Sequence, residues 1–225
     1  MEKIKNIFLC IQLCISVSAY SQTTTVNYIS PETATKTYTA LSKQPFYIFP
    51  ETRAYPIRWN DSLQVRWLKN NYSRANFVLH AQPGEYFVYQ VGVWAINNEL
   101  KNIQLRFSDL KAKNGKAIPS RQVSCFNAGG IDYLGNPFAK KIDVQNGKVQ
   151  ALWIGVDLSG VVKGTYYGTA TVSANNKAQT IKIQLEVDGE IVKDHGFNEG
   201  KRLSRMYWLN STLGIDDEVT KGYTP

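Results

Sequence analysis

The chain has 225 residues, 43% of them hydrophobic and 12% aromatic, which supplies a sizeable core for one large domain or a domain with an appendage and excludes intrinsic disorder. Its 26 basic and 18 acidic side chains give a formal net charge of +8. The cations are scattered, with no block of about five like charges, so the clustered basic stripe of a nucleic-acid binder is missing.

Residues 1–21 read as an export signal. Lys3 and Lys5 make a basic start, Ile7 to Val17 a short apolar run, and Ala19-Tyr20-Ser21 places small residues where a signal peptidase inspects the chain. The run is too short to span a bilayer. Cleavage before Gln22 and an exported, periplasmic or extracellular protein are expected, against the competing reading of an anchored N-terminus. A lipid-attachment site fits less well, because bulky residues precede Cys10 and Cys14. Export removes Lys3, Lys5 and Glu2, so the mature charge is 24 − 17 = +7. That mild positive field suits an acidic polysaccharide or cell-envelope surface, although a solvated surface is its commonest explanation. Cys125 is then the one cysteine left, which excludes an intrachain disulfide and fits a packed small side chain better than a nucleophile.

From Thr23 to Lys43 the chain is rich in Thr and Ser, with Tyr28, Thr35, Thr37 and Thr39 alternating, which predicts a loose leader settling into an edge strand. Pro45 to Pro50 is an apolar run fenced by prolines, confined to an edge or a covering loop because proline donates no ladder hydrogen bond. Ser62 to Leu68 alternates as a strand, with a short helix capped by Asp61 or Ser62 and reaching Lys69 as the other reading. Ala75 to Ala81 leads into Gln82-Pro83-Gly84-Glu85, a type II turn by its Pro and Gly positions. Tyr86 to Ile96 follows as a strand with Phe87, Tyr89, Val91 and Val93 on one face. After Asn97-Asn98, Ile103, Leu105 and Phe107 alternate again.

Asn114-Gly115 marks a hairpin or a loop, Gln122 to Ala139 a long glycine-punctuated surface loop, and Asn146-Gly147 the next hairpin. Three strands then stand out within Ala151 to Val187, and from Thr180 to Val187 apolar residues take every second position. Such a strand has one buried and one wet face, the habit of an antiparallel sandwich. Eight to ten short strands with turn signals about every ten residues and no helical crossovers predict an all-β fold, an immunoglobulin-like antiparallel β-sandwich over residues 22–190, with an up-and-down barrel ranked second.

After Val187 the alternation stops. Asp188 to Glu199 is polar, Gly200 to Gly214 is apolar and basic, and Gly222-Tyr223-Thr224 is linker-like. Residues 191–225 therefore read as an extended C-terminal linker that leaves the sandwich for a neighbouring C-terminal module absent from this chain. On that reading Leu203, Met206, Trp208 and Leu209 form an exposed apolar strip.

Nothing in the sequence commits to catalytic, cofactor-binding or metal-binding residues. Asp216-Asp217-Glu218 is the densest carboxylate cluster, but adjacent side chains on an extended segment point to opposite sides and cannot alone flank one glycosidic bond. His80 and His195 lack the paired spacing of a metal site. Ser124, Ser204 and Ser211 lack a nucleophile elbow, and neither Gly129-Gly130 nor the Gly164/Gly168 pair precedes a helix as a phosphate cradle does. Trp94, Trp153 and Trp208 are the candidates for aromatic faces that stack on sugar rings, with burial in the core as their commoner fate.

The stretch from Trp153 through Gly164-Thr165-Tyr166-Tyr167-Gly168, together with Arg202-Leu203-Ser204-Arg205, Trp208-Leu209-Asn210-Ser211-Thr212-Leu213-Gly214-Ile215-Asp216-Asp217-Glu218 and Tyr223-Thr224-Pro225, resembles the N-terminal region of proteins similar to glycoside hydrolase family 123. The Trp208 to Thr212 segment is its most specific part. The resemblance implies a Bacteroides-type exported protein with a β-sandwich in front of a TIM barrel. It also implies retaining hydrolysis of β-linked N-acetylgalactosamine, with the substrate's acetamido group as nucleophile and an Asp-Glu pair on the barrel as helpers. Asp217-Glu218 falls in the linker, ahead of any barrel, and takes no catalytic role from the resemblance. The expected function is a non-catalytic N-terminal domain that supports a covalently following catalytic module, with a glycan as the further partner, and neither nucleic acid nor a membrane span. The alternative is a free-standing carbohydrate-binding module with a row of exposed aromatics.

Overall fold

A computed structural model describes residues 28, 44–58, 61–68, 77–131 and 136–204. Its strands, in chain order, are β1 (Phe46–Thr52), β2 (Asp61–Ser62), β3 (Val78–Ala81), β4 (Tyr86–Ala95), β5 (Gln104–Phe107), β6 (Leu110–Ala112), β7 (Ala117–Ile118), β8 (Val123–Cys125), β9 (Gly129–Ile131), β10 (Pro137–Ala139), β11 (Lys148–Asp157), β12 (Gly164–Ala174) and β13 (Lys177–Val187). One sheet runs β1-β4-β11-β2, with β8 also on β11. The other runs β3-β13-β12-β6-β7, with β5 also on β12. β9 and β10 form a separate ribbon. Apolar side chains from both large sheets, among them Phe87, Tyr89, Val91, Leu152, Tyr166, Val172, Ile181 and Leu185, make one core between them. The chain is an all-β, immunoglobulin-like β-sandwich. Among the described residues no helix is long and apolar enough to cross a membrane.

The hairpin β12–β13 shows how local chemistry sets register. Asn175 and Asn176 both take positive φ (48° and 59°), the geometry of a two-residue type I′ turn that twists with its strands. Pairing then runs unbroken from Ala174 opposite Lys177 to Gly164 opposite Val187. Every second residue of β13 from Ile181 to Val187 faces the core. The turn before β4 is equally clear: Glu85 N–H donates to Gln82 O at 3.2 Å with Gly84 at φ +76°, the type II geometry that Pro83-Gly84 specifies.

Several expectations change. Among the described residues the strand pairs are antiparallel except one: β3 lies parallel to β13, with Gln184 opposite Val78. Ser62 to Leu68 is not a strand. Pairing with β11 ends at Ser62, Gln64 makes only an isolated antiparallel bridge with Tyr28, and Val65–Leu68 is a turn of 3-10 helix, nearer to the short-helix reading, with Trp67 buried against the first sheet. Gln122 to Ala139 is not one loop: β8 pairs with β11, and β9 with β10. These three-residue strands are too short to show a period. Asn146-Gly147 turns the chain without closing a hairpin, since β11 pairs with β4, β2 and β8. Asn114-Gly115 does close the short hairpin β6–β7.

Pro50 sits in β1 at the margin of the first sheet, as its missing N–H requires, yet β1 is buried on both faces. β4 is buried along its whole length. The covering layer is loop: Ile57, Leu63 and Trp67 pack with Phe49, Trp94 and Val149 on one part of the outer face, and Phe126 packs with Tyr86 and Val88 on another. Phe49 stacks on Trp67 at 4.7 Å and lies against Gly92, directly opposite on β4. A Cβ at Gly92 would come within 2.2 Å of that ring. The wet face of the sandwich is therefore on the second sheet alone.

Candidate functional site

Among the described residues two glutamates are fully closed to solvent, Glu51 near the end of β1 and Glu85 directly before β4. A buried carboxylate must be paired or neutralised, and each is paired.

Glu51 accepts hydrogen bonds from the Thr52 backbone N–H (2.8 Å) and from the Trp67 indole N–H (3.0 Å), with the Arg66 guanidinium 3.1 Å away. Burial pushes its carboxyl above the usual 4.5, and the bond from Thr52 and the charge of Arg66 hold it back only in part. Opposite it on β4, Gln90 fastens the covering loop, accepting from the Ile57 N–H at 2.8 Å and donating to the carbonyls of Thr52 (2.8 Å) and Tyr55 (3.2 Å). Arg66 also lies over the Tyr55 ring, 3.7 Å from its centre.

Glu85 is gripped by two arginines. Arg53 bonds one carboxylate oxygen, Arg202 stands 3.1 Å from the other, and the Gln82 N–H donates to that second oxygen at 3.1 Å. Arg202 donates to the Gln82 side-chain carbonyl as well, pairs through Nε with Glu199 at 3.0 Å, and offers its own carbonyl to Arg53 at 3.0 Å. Burial works against the Arg202 charge, but Glu199 and Glu85 outweigh it and its pKa is raised. The same bond holds the Glu199 carboxyl below its usual range.

The segment after β13 thus folds back onto the sandwich. Val192 N–H donates to Pro83 O (2.8 Å), Ser204 hydroxyl to Gly196 O (2.8 Å), and Arg202 and Ser204 are buried. The expectation of a strand of chain leaving the domain from residue 191 meets this difference: up to Ser204 the chain is docked on the rim by Arg202. An open cleft of about 450 Å³ runs beside it, lined by Gln82, Glu190, Lys193, Asn198 and Glu199 among others. Leu203, expected in an exposed strip, is half-buried. Met206, Trp208 and Leu209 lie outside the described residues, as do Ser211 and Asp216-Asp217-Glu218.

The remaining candidates are dispersed. His80, on β3, meets Glu186 at 3.2 Å. His195 has Nδ1 3.3 Å from the Ser159 hydroxyl and 3.8 Å from Asp157, and Ser159 donates to Asp157 at 2.6 Å. That is the wrong order for a nucleophile: the carboxylate holds the serine proton instead of orienting the imidazole. Ser124 bonds the Tyr86 hydroxyl at 2.9 Å. Cys125 donates to Asn127 Oδ1 at 3.3 Å, and burial pushes its thiol up to about 12, the state of a packed side chain rather than a reactive one. Trp94 is buried and Trp153 half-buried between the two outer clusters. Gly129-Gly130 and Gly164/Gly168 lie in strands. Among the described residues no group of three or more His, Cys, Asp and Glu could hold a metal ion.

Sequence reasoning missed Glu51, Glu85, Arg53, Gln90 and Arg202 as partners. From the sequence Glu85 is only the close of the turn Gln82-Pro83-Gly84-Glu85. The available signal was its charge directly before the apolar run of β4.

No family model matches the chain, and no curated protein matches it. Among solved structures it is similar to a family 123 glycoside hydrolase from Clostridium perfringens, at 20% identity and a TM-score of 0.41, covering 51% of this chain and 23% of that one. It is similar to MyfA, the major subunit of Myf fimbriae from Yersinia enterocolitica, solved in complex with galactose, at 14% identity and a TM-score of 0.34 over 51% of this chain and 93% of that one. It is also similar to the CooA pilin subunit from enterotoxigenic Escherichia coli, at 15% identity and a TM-score of 0.30 over 64% and 98%. The chain spans about a quarter of the length of the Clostridium hydrolase.

Proposed function

We propose that this chain is the leading, non-catalytic sandwich of an exported glycan-processing protein, and that it braces a catalytic module following in the same polypeptide. The observation that carries the reading is the Arg202 clasp. A segment that merely tethered two domains would gain nothing from burying an arginine between Glu85, Glu199 and Gln82, whereas a brace must fix the place and direction in which the chain leaves its rim. The boundaries that go with this reading are a signal over residues 1–21, a sandwich over 22–190 and a joining segment over 191–225, the last beginning with a docked stretch. The two buried acids are held by arginines and backbone N–H groups, which suits scaffolding rather than proton transfer. The substrate class carried over from the family resemblance is N-acetylgalactosamine-containing glycan.

The test is to produce the chain together with whatever coding sequence follows the Pro225 codon in its genome and to assay an aryl β-N-acetylgalactosaminide. Hydrolysis by the extended protein, none by the 225-residue chain, and a fall in turnover with Arg202→Ala are expected. Turnover by the chain alone overturns the reading, as does an extended protein indifferent to Arg202.

A further inference from the structure

The second sheet leaves one broad face open, and that face has a pattern. Along β12 the outward residues are Thr165, Tyr167, Thr169, Thr171 and Ser173, and along β13 Thr180, Lys182, Gln184 and Glu186. Tyr167, 43% exposed, sits between Lys111 of β6 on one side and Gln184 of β13 on the other. Lys182 is opposite Thr169 in the next outward row, and Arg106 of β5 is opposite Thr171 in the row after that. With strands about 4.8 Å apart and a rise of about 3.4 Å per residue, the cations frame a patch roughly 10 Å by 14 Å, the span of two or three sugar rings.

The charges on this patch are available. The ion pairs on this side of the sheet join Glu186 to His80 and Asp188 to Lys163, and Gln184 donates to Glu186 at 2.8 Å. Arg106, Lys111 and Lys182 stand outside those pairs and are exposed. The nearby Asp109 accepts from the Ser120 N–H at 2.8 Å and is also drawn to the charges of Lys111 and Arg121, with Lys111 itself remaining exposed. The Thr171 and Thr180 hydroxyls bond each other at 2.9 Å, leaving acceptor capacity toward solvent. An exposed aromatic ring framed by three such cations is complementary to a ring-shaped ligand that carries negative charge.

We propose that this face binds an acidic polysaccharide, with one sugar ring lying on Tyr167 while carboxylate or sulfate groups meet Lys111, Lys182 and Arg106. The assignment is independent of the bracing role, because none of Arg106, Lys111, Tyr167 and Lys182 is a partner in the Glu85–Arg202 clasp.

The test uses the full chain and chondroitin sulfate immobilised on a sensor surface, with neutral dextran and single-stranded DNA as comparison surfaces. Binding to chondroitin sulfate that fades as salt rises beyond about 0.1 M is expected. Tyr167→Ala should weaken it about fivefold, and Lys111→Gln with Lys182→Gln by a similar factor. Lys140→Gln with Lys141→Gln, outside this sheet, should change it less than about twofold. All these side chains point outward, so a thermal midpoint shared with the unaltered protein confirms that each variant folds. Three results overturn the proposal: no retention on chondroitin sulfate, equal retention on DNA or dextran, or Tyr167→Ala without effect while every lysine change weakens binding alike.

Discussion

The guanidinium of Arg202 stands 3.1 Å from the carboxylate of Glu85, which has no exposure to solvent. The contact ties the end of the described chain to the first residue before β4, so the docking of residues 193–204 and the integrity of the central strand are one problem. Arg202→Ala leaves Glu85 with Arg53 and the Gln82 N–H and should cost about 2–3 kcal/mol, below the 3–5 kcal/mol typical of a fully orphaned buried charge. Arg202→Lys should recover only part, since an ammonium cannot serve Glu85, Gln82 and Glu199 together. Urea midpoints measure the loss, and tryptic cleavage at Lys193 and Lys201 should accelerate in parallel.

Glu51 makes a pH prediction with a definite sign. Its carboxyl is raised in the folded protein, chiefly by burial, so between 4.5 and that raised value the folded state binds more protons than the unfolded one. Stability from this group is fully present below 4.5 and is lost as pH climbs through the folded value. Asp109, Asp188 and Glu199, all lowered, act in the opposite direction. The informative quantity is therefore the difference between the unaltered protein and Glu51→Gln. That difference should shift in favour of Glu51→Gln as pH rises from 4.5 to 7, and a pH-independent difference in urea midpoint contradicts it.

How much of this was legible in the sequence depends on which side of a strand meets water. β12 and β13 announced themselves because alternation survives where one face is wet, β11 because it is a continuous apolar run between turn residues, and Asn175-Asn176 and Pro83-Gly84 each specify their turns locally. The outer face of the first sheet was hidden for the converse reason. β4 is buried on both sides, so Gln90 and Trp94 look like the wet half of a pattern although Ile57, Leu63 and Trp67 pack with Trp94, and Thr52, Tyr55 and Ile57 bond Gln90. Nor could Arg202 be placed, because nothing local distinguishes it from its neighbours Lys201 and Arg205, and its partner Glu85 is fixed only by long-range folding. The parallel docking of β3 on β13 is likewise a matter of topology that the residues of Val78–Ala81 do not encode by themselves.

Gly92 is where the covering layer meets the sheet most closely. Adding a methyl group there would place it 2.2 Å from the Phe49 ring, and that ring cannot retreat because Trp67 stacks on its far side at 4.7 Å. Gly92→Ala should therefore destabilise by about 2–3 kcal/mol, at the upper end for overpacking. Gly115→Ala, at an open turn with nothing within 4 Å, should cost only the strain of its positive φ, about 1 kcal/mol. Calorimetric midpoints of the two variants should separate in that order.

Cys125 offers a probe of the edge strand β8. Its thiol is pushed up to about 12 by burial against the core, with backbone N–H groups offsetting only part of that. At pH 8 the thiolate fraction in the folded protein is then of order one in ten thousand, against about a quarter for an ordinary thiol near 8.5. Iodoacetamide should label the folded protein very slowly and the urea-unfolded protein at the rate of a free thiol, so labelling reports opening of β8 from β11. Because Ile154 faces Cys125 across that pair, Ile154→Ala should raise the labelling rate well before the midpoint of global unfolding. If rapid labelling of the unaltered protein occurs at pH 8 without denaturant, the thiol is not packed as described.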